Sequence, residues 1–142
     1  YRLVLAGQVQ EERKFGDPAF VGELKRFNID VHTDVPDDTM ARLMRDCAFT
    51  AYPSLQEGWG LPAQESLMCG KVCLVSSTLP VAQEIANPAL IRISPTDFYG
   101  WHEALRTWLE NAQMRRAFAE RAREYNAPSW REIAQVILSR LP

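Results

Sequence analysis

Several features that mark other classes of protein are missing from this sequence. No apolar run approaches the roughly 20 residues that cross a bilayer as a helix, and no secretory signal peptide is visible. The three cysteines, Cys47, Cys69 and Cys73, are odd in number and stand in apolar surroundings, which favours buried free thiols in a reducing compartment. The formal net charge of −2 gives no reason to expect nucleic acid or an anionic membrane as a partner.

Motifs for metal, triphosphate or triad chemistry are also missing. No Asp-x-Asp pair is present to hold a divalent cation on a diphosphate, and no histidine lies near the cysteines in sequence. Gly70-Lys71 is followed by valine instead of the serine or threonine of a phosphate loop. His32 and His102 are isolated, so a hydrolase triad has no support. The sequence therefore predicts no metal and no cofactor.

Short apolar runs alternate along the chain with segments of helical period. The runs are continuously apolar or nearly so, as strands buried on both faces are. The predicted strands are residues 2–6, 29–33, 47–52, 72–76 and 90–93. The predicted helices between them are residues 18–27, 39–45, 61–69 and 80–86. This alternation predicts an α/β fold, with a Rossmann-like parallel sheet and crossover helices on its faces.

After Ser94 the pattern becomes purely helical. Large apolar residues recur every three or four positions, which predicts one buried stripe made of Phe98, Trp101, Leu105, Trp108 and Ala112. Further on, Ser129 is followed by Glu132 at the spacing of a capping box, in which the two residues satisfy each other's N–H groups. A final amphipathic helix is expected to begin there.

The segment from Glu57 to Glu65 is the most informative in the chain. Its sequence, Glu-Gly-Trp-Gly-Leu-Pro-Ala-Gln-Glu, places two glycines between two carboxylates. A predicted strand precedes the segment and a predicted helix begins at Leu61. A strand, a glycine loop and a helix N-terminus together form a cradle for an anionic ligand. The carboxylates at its ends suit a ligand that also carries hydroxyl groups, as nucleotide sugars do.

Each part of this segment also has a structural interpretation. At about 100° per residue, Glu65 lies on a largely apolar helix face, where ligand hydroxyls, a salt bridge or an exposed rotamer would satisfy its carboxylate. Glu57 lies in the loop at the strand end, where ligands enter open α/β sheets, although a loop glutamate is usually plain surface. Gly58 and Gly60 allow close approach to a ligand or simply a tight turn. Trp59 either covers a ligand or packs, and packing is favoured.

The same residues can be checked against the motif of a dinucleotide site. Gly58-Trp59-Gly60-Leu61-Pro62-Ala63 formally fits the G-x-G-x-x-A fingerprint. That fingerprint also requires an acidic residue about 20 positions further on, at the end of the next strand. No acid occurs in that region before Glu84, so a dinucleotide site is disfavoured.

At these residues the chain resembles the C-terminal, donor-binding domain of retaining glycosyltransferases of family four, which have the GT-B fold. The mark of that family is two glutamates separated by seven residues, commonly as E-G-F-G-L-P-x-x-E-A-M-A-C-G. Residues 57–70 of this chain are E-G-W-G-L-P-A-Q-E-S-L-M-C-G. The similarity extends over nearly the whole chain, through the L-V-L-A-G run at residues 3–7, Pro53-Ser54, residues 95–97 and Ser129-Trp130.

The resemblance implies a role for each residue of the motif. Glu57, as the catalytic residue, would contact hydroxyls of the donor sugar near the reacting centre, and Glu65 would hold the ribose hydroxyls. The sugar and diphosphate would meet the backbone of Gly58, Trp59, Gly60 and Leu61. The stretch from His32 to Val35 would lie near the nucleotide base. The family retains the anomeric configuration and needs no metal, so electrostatic stabilisation of the departing diphosphate would be the main catalytic effect.

The resemblance also implies that residues 1–142 are a donor-binding domain from a longer two-domain enzyme. Its partners would be the nucleotide-sugar donor, an N-terminal acceptor domain of the same polypeptide, and a glycan or lipid-linked acceptor. By family habit the setting would be bacterial surface polysaccharide synthesis in the cytoplasm, with peripheral attachment to the inner membrane through the missing domain as an open alternative. The isolated chain is expected to bind nucleotide weakly and to be inactive.

Some parts of the sequence depart from the family pattern. The family's earlier strand, with an Arg and a Lys that grip the diphosphate, is absent, and Arg13 and Lys14 are not assigned its role. The stretch 80–85 lengthens the usual L-P-E-V, which leaves Glu84 as a provisional equivalent of the glutamate in that motif.

Two other functions stay open: a non-catalytic interaction module that keeps the fold, and a sugar-nucleotide epimerase of GT-B fold.

Overall fold

The computed structural model of the chain describes residues 1–7 and 17–141, and Arg13 and Lys14 lie outside this part. The described chain consists of two compact units, Tyr1–Asp46 and Cys47–Pro142. Each unit alternates strands with helices, and all the described strand pairs are parallel. The predicted α/β class is therefore confirmed, although the strands form two sheets instead of one. That residues 1–142 act as one donor-binding domain stays a prediction.

The first unit contains two strands and two helices among its described residues. In chain order these are β1 (Leu3–Gly7), α1 (Pro18–Arg26), β2 (Ile29–Thr33) and α2 (Asp37–Asp46). β1 and β2 pair in parallel, with Leu3 opposite Ile29 and Gly7 opposite Thr33. Both strands are partly exposed, because a sheet of two strands has no inner strand. The prediction that these strands are buried on both faces is therefore wrong.

Acidic residues begin both helices of the first unit. The Asp17 carboxylate accepts a 2.9 Å hydrogen bond from the Ala19 N–H, which caps α1. α2 begins at Asp37, two residues before the predicted start, and the Asp38 carboxylate accepts a hydrogen bond from the Thr39 N–H at 2.7 Å. Negative charge at these positions also complements the positive end of the helix dipole.

The second unit contains a three-stranded parallel sheet and five helices among its described residues. Its alternating part consists of β3 (Thr50–Tyr52), α3 (Leu61–Met68), β4 (Cys73–Ser76), α4 (Pro80–Glu84) and β5 (Leu90–Ile93). The helices α5 (Phe98–Glu110), α6 (Ala112–Arg123) and α7 (Trp130–Ser139) follow. The strand order is β3-β4-β5. β3 begins three residues later than predicted, and its ladder starts where the Thr50 N–H bonds to the Val72 carbonyl at 2.9 Å.

The core of the second unit lies around β4, whose four residues are all buried because strands flank it on both sides. Leu67 of α3 and Val81 of α4 are fully enclosed beside it. Ser66 is also buried, but its hydroxyl pairs with the Thr50 hydroxyl at 2.6 Å. The buried Ser76 hydroxyl has no hydrogen-bond partner among the described residues. An unpaired hydroxyl in a core is unusual and costs stability.

The predicted aromatic stripe of the C-terminal region is correct only in its middle. Trp101 and Trp108 are buried in the core. Phe98 is 83% exposed in the first turn of α5, and Ala112 begins α6 instead of continuing α5. The chain turns at Asn111, whose side chain accepts a hydrogen bond from an N–H in the first turn of α6. The prediction of a buried stripe is therefore wrong at Phe98 and Ala112.

The last helix begins as the sequence predicts. The Ser129 hydroxyl accepts a hydrogen bond from the Glu132 N–H, and the Glu132 carboxylate accepts one from the Ser129 N–H. The two halves of the capping box are thus both present. Several apolar side chains of α7 are exposed, among them Trp130, Val136, Ile137 and Leu138.

The expectation of buried free thiols is correct in full for one of the three cysteines. All three cysteines are thiols, although only Cys73 is fully buried, while Cys47 and Cys69 are partly buried. Burial raises the pKa of the Cys73 thiol to about 12, which keeps it protonated. No helix within residues 1–7 and 17–141 has both the length and the apolar character needed to cross a bilayer.

Candidate functional site

Residues 53–60 connect β3 to α3 and are called the glycine loop below. At its end, Gly60 has a φ of 103°, a left-handed conformation that residues with a side chain rarely adopt. The Val81 N–H, in the first turn of α4, donates a 3.0 Å hydrogen bond to the Trp59 carbonyl. This bond ties the end of the loop to the neighbouring crossover helix.

Glu57 lies in the glycine loop, and its exposed carboxylate is held by two hydroxyl groups. The Ser54 hydroxyl donates to Oε1 at 2.8 Å, and the Tyr52 hydroxyl donates to the same carboxylate. The bond from Tyr52, followed by the bond from Ser54, lowers the pKa of Glu57 because both favour its charged form. At neutral pH Glu57 is therefore an ionised and oriented acceptor.

Tyr52 connects this carboxylate to the core. It is the last residue of β3 and packs against the buried cluster of the second unit. Burial is the largest effect that raises the pKa of Tyr52; the hydrogen bond to Glu57, the negative charge of Glu57 and weaker contributions from Cys73 and Glu65 follow. The phenol therefore stays protonated and acts as a donor.

Glu65 lies in α3 with its side chain exposed. Among the described residues, no basic side chain forms an ion pair with Glu65 or with Glu57. The sequence leaves a salt bridge and an exposed rotamer open as structural interpretations of Glu65, and the structure shows the exposed rotamer. A carboxylate in this state keeps its acceptor positions for a ligand.

Trp59 is tethered beside the N-terminal end of α3. Its indole N–H donates to Oε1 of Gln64 at 2.6 Å, and the side chain is 36% exposed. Trp59 does not belong to the buried cluster, so it packs at the surface of the domain, and whether it also covers a ligand stays a prediction. The tether holds a partly exposed aromatic ring next to the glycine loop.

No side chain caps the N-terminal end of α3. Its N-cap residue is Gly60, which has no side chain to accept from the first N–H groups, and Pro62 in the first turn has no N–H of its own. The positive end of the helix dipole is therefore available to an anion beside the glycine loop. No group of residues suited to hold a metal ion is present among those that the structure describes.

The residues predicted to lie near the base belong to the first unit. His32 lies in β2 opposite Ala6 of β1, and Val35 follows Asp34, whose φ is 51°. His32 and Val35 are both half-buried. Their place near the nucleotide base stays a prediction. In the second unit, Glu84 is the exposed last residue of α4, and its equivalence to the family's glutamate also stays a prediction.

Three residues that hold the motif in place were not selected from the sequence: Tyr52, Ser54 and Gln64. A signal was available for the first two, since they are hydroxyl residues at the end of a predicted strand, just before the loop glutamate. Gln64 gave no such signal, because its contact with Trp59 joins a loop to a helix five positions further on. That spacing follows no regular helix or strand period.

Comparison with known proteins identifies the family. The sequence profile described as glycosyl transferases group 1 matches residues 1–125. The chain belongs to this family. A solved structure of WaaG, described as a glycosyltransferase involved in lipopolysaccharide biosynthesis, matches with a TM-score of 0.73 and 28% sequence identity over 87% of this chain. No match was found among curated proteins.

These matches confirm the resemblance stated from the motif: the chain is a glycosyltransferase domain of the GT-B type. The group 1 profile extends through both compact units and ends at Tyr125, before α7. It includes the whole segment from Glu57 to Glu65. The chain covers 33% of the WaaG chain, so it spans about a third of the length of that protein.

Proposed function

We propose that this group 1 chain is the donor-binding domain of a retaining glycosyltransferase, which moves a sugar from a nucleotide diphosphate to a glycan or lipid-linked acceptor. The observation that carries the proposal is the state of Glu57. Its carboxylate is ionised, exposed and oriented by two hydroxyl groups, at the carboxyl end of a parallel strand. Ligands of open α/β sheets bind at this end of the strands.

The proposed roles follow the arrangement of the motif. Glu57 binds hydroxyl groups of the donor sugar, and Glu65 binds the ribose hydroxyls. The backbone from Gly58 to Leu61 meets the sugar and diphosphate, next to the uncapped end of α3. The assignment of the nucleotide base to His32 and Val35 rests on the resemblance alone. Following the same resemblance, the proposed reaction requires no metal ion or other cofactor.

The chemistry assigned to this site is a substitution at the anomeric carbon of the donor sugar. The bond from that carbon to the diphosphate oxygen breaks, and the acceptor hydroxyl oxygen forms a new bond to the carbon on the same face of the ring while its proton passes to the departing diphosphate oxygen. Negative charge develops on the departing diphosphate. Backbone N–H groups of the glycine loop and of the first turn of α3 stabilise that charge. Glu57 holds the sugar ring in the reactive orientation.

The proposal extends to the partners of the domain. The acceptor would bind to an N-terminal domain of the same polypeptide, and the setting would be the synthesis of a bacterial surface polysaccharide in the cytoplasm. Support for the setting comes from the similarity to WaaG, which is itself described as involved in lipopolysaccharide biosynthesis. Cysteines in the thiol form agree with a reducing compartment.

Calorimetric titration of the chain with UDP, GDP and their sugars tests the proposal. At least one nucleotide sugar should bind. Glu57→Gln should weaken binding of the nucleotide sugar roughly tenfold with little effect on the free nucleotide, whereas Glu65→Gln should weaken both. Glu23→Gln, at an exposed position of α1, is the matched control. Absence of heat with every ligand would overturn the proposal.

Assays of the full-length protein separate the proposal from its alternatives. Transfer with retention is shown by the anomeric configuration of the product in NMR spectra. If Glu57→Gln leaves transfer unchanged, a non-catalytic module is favoured. If the donor is converted or hydrolysed without any acceptor, an epimerase is favoured.

A further inference from the structure

The carboxylate of Glu57 is held at two points before any ligand arrives. Tyr52 is anchored in the core at the end of β3, and its hydroxyl donates to the carboxylate. The Ser54 hydroxyl lies 2.8 Å from Oε1 of Glu57 and 3.2 Å from the carbonyl oxygen of Gln56. A hydroxyl has a single hydrogen, so Ser54 shares it between these two acceptors. The bond from Tyr52 has the larger effect on the pKa of Glu57.

We infer that Tyr52 and Ser54 are positioning residues, which fix Glu57 so that the free half of its carboxylate binds two adjacent hydroxyl groups of the donor sugar. This inference rests on the function proposed above. An ionised carboxylate has about four acceptor positions. Tyr52 and Ser54 occupy two of them, and the remainder matches the two donors of a vicinal diol.

Fixing Glu57 in advance favours binding. An exposed glutamate side chain normally samples several rotamers, and ordering it on binding opposes affinity. The bonds from Tyr52 and Ser54, which come from the chain itself, restrict Glu57. Hydrogen bonds to an ionised acceptor are also stronger than bonds between neutral groups. The sugar hydroxyls therefore meet an acceptor whose position is set.

Burial and the neighbouring carboxylate keep Tyr52 protonated. Burial of the phenol is the largest effect that raises its pKa, and the hydrogen bond to Glu57 and the negative charge of Glu57 come next. Tyr52 therefore donates to Glu57 and does not act as a base. The ionised form of Glu57 is favoured in return. Removal of the phenol hydroxyl should therefore make Glu57 easier to protonate.

A titration of Glu57 tests the positioning without any ligand. Tyr52→Phe and Ser54→Ala each remove one donor, and Tyr125→Phe is the matched control because Tyr125 is also half-buried against the core. NMR of carbon-13-labelled glutamate, assigned with Glu57→Gln, follows the carboxyl signal. The pKa of Glu57 should rise in the first two variants, more in Tyr52→Phe, and stay unchanged in Tyr125→Phe. An unchanged pKa in both variants would overturn the inference.

Binding and kinetics of the full-length protein test the role toward the sugar. Tyr52→Phe should weaken nucleotide-sugar binding about three- to tenfold and leave free-nucleotide binding unchanged. The acidic limb of the profile of kcat/KM against pH should move to higher pH. In a Glu57→Gln background, Tyr52→Phe should have no further effect. Two results would overturn the role: an equal loss of nucleotide-sugar binding in Tyr52→Phe and Tyr125→Phe, or a loss of binding from Tyr52→Phe that is just as large when Glu57→Gln is already present.

The two tests also separate this inference from the proposed function. If the unaltered protein binds no nucleotide sugar, the proposed function fails and the sugar-binding role of Tyr52 and Ser54 fails with it. If it binds the nucleotide sugar and the pKa of Glu57 does not respond to Tyr52→Phe or Ser54→Ala, the positioning role alone fails.

Discussion

A Cβ on Gly60 would lie 2.7 Å from Cγ1 of Val81, a distance that carbon atoms of different side chains do not adopt. The φ of 103° at Gly60 disfavours a side chain for a second reason. The two constraints arise together, because this left-handed residue begins α3 where the loop lies against α4. The end of α3 that faces the glycine loop therefore depends on the absence of one side chain.

Gly60→Ala should destabilise the protein by about 2–4 kcal/mol, because strain at φ and overpacking against Val81 add to each other. Gly58→Ala is the matched control. No atom lies within 4 Å of a Cβ at Gly58, and its loss of stability should stay below about 1 kcal/mol. Urea unfolding followed by circular dichroism measures both. Equal losses for the two variants would contradict the steric argument.

Two buried serines in neighbouring elements should respond in opposite ways to alanine. Ser76→Ala removes a buried hydroxyl without a described partner and should stabilise the protein by up to about 1 kcal/mol. Ser66→Ala removes the 2.6 Å partner of the Thr50 hydroxyl and should destabilise it by about 1–2 kcal/mol. Thermal unfolding gives both values. A larger loss for Ser76→Ala than for Ser66→Ala would mean that Ser76 has a partner.

Trp59→Phe should keep nucleotide-sugar binding within a few-fold of the unaltered chain. The aromatic ring beside the loop is preserved, and only an exposed hydrogen bond to Gln64 is lost, worth roughly 1 kcal/mol. Trp59→Ala removes the ring and should weaken binding more strongly. Calorimetric titration of both variants with the same nucleotide sugar measures the two affinities. Equal binding by Trp59→Ala and the unaltered chain would show that the ring does not contact the donor.

The capping box of α7 should lose strength in acid. The N–H and hydroxyl of Ser129 hold the pKa of Glu132 below its ordinary value. A carboxyl whose pKa is lowered by folding stabilises the folded state above its unfolded pKa, and the effect is lost as the pH falls through the lowered value. The NMR shifts of α7 should therefore move toward coil values during acidification, with α6 as internal reference. Ser129→Ala should reduce the pH dependence of the α7 shifts. An unchanged pH dependence in this variant would contradict the role of the capping box.

Local patterns predicted most of the secondary structure. The bounds of β2 and β5 match the prediction, because the apolar and β-branched residues of each run end at a polar residue, Asp34 or Ser94. The stripe from Phe98 to Ala112 failed because periodicity counts positions along one continuous helix. The chain turns at Asn111, and this turn moves Ala112 to the start of another helix.

The candidate site shows the same division. Glu57 and Glu65 were selected because their spacing around two glycines is a motif. The hydroxyl groups that orient Glu57 were not selected: their place just before the loop glutamate is a signal, but it does not show that the loop folds back toward Tyr52 and Ser54. The contact between Trp59 and Gln64 was missed for the same reason.

The order of residues alone specifies the alternation of strands and helices, the capping box at Ser129 and the family motif, because these depend on residues close together in the chain. Folding decides which side chains meet across elements, such as Tyr52 with Glu57 and Ser66 with Thr50. It also decides that the Ser76 hydroxyl is buried with no described partner. Such contacts depend on how a loop or helix lies against the sheet. That placement results from packing of the whole second unit, so no local pattern contains it.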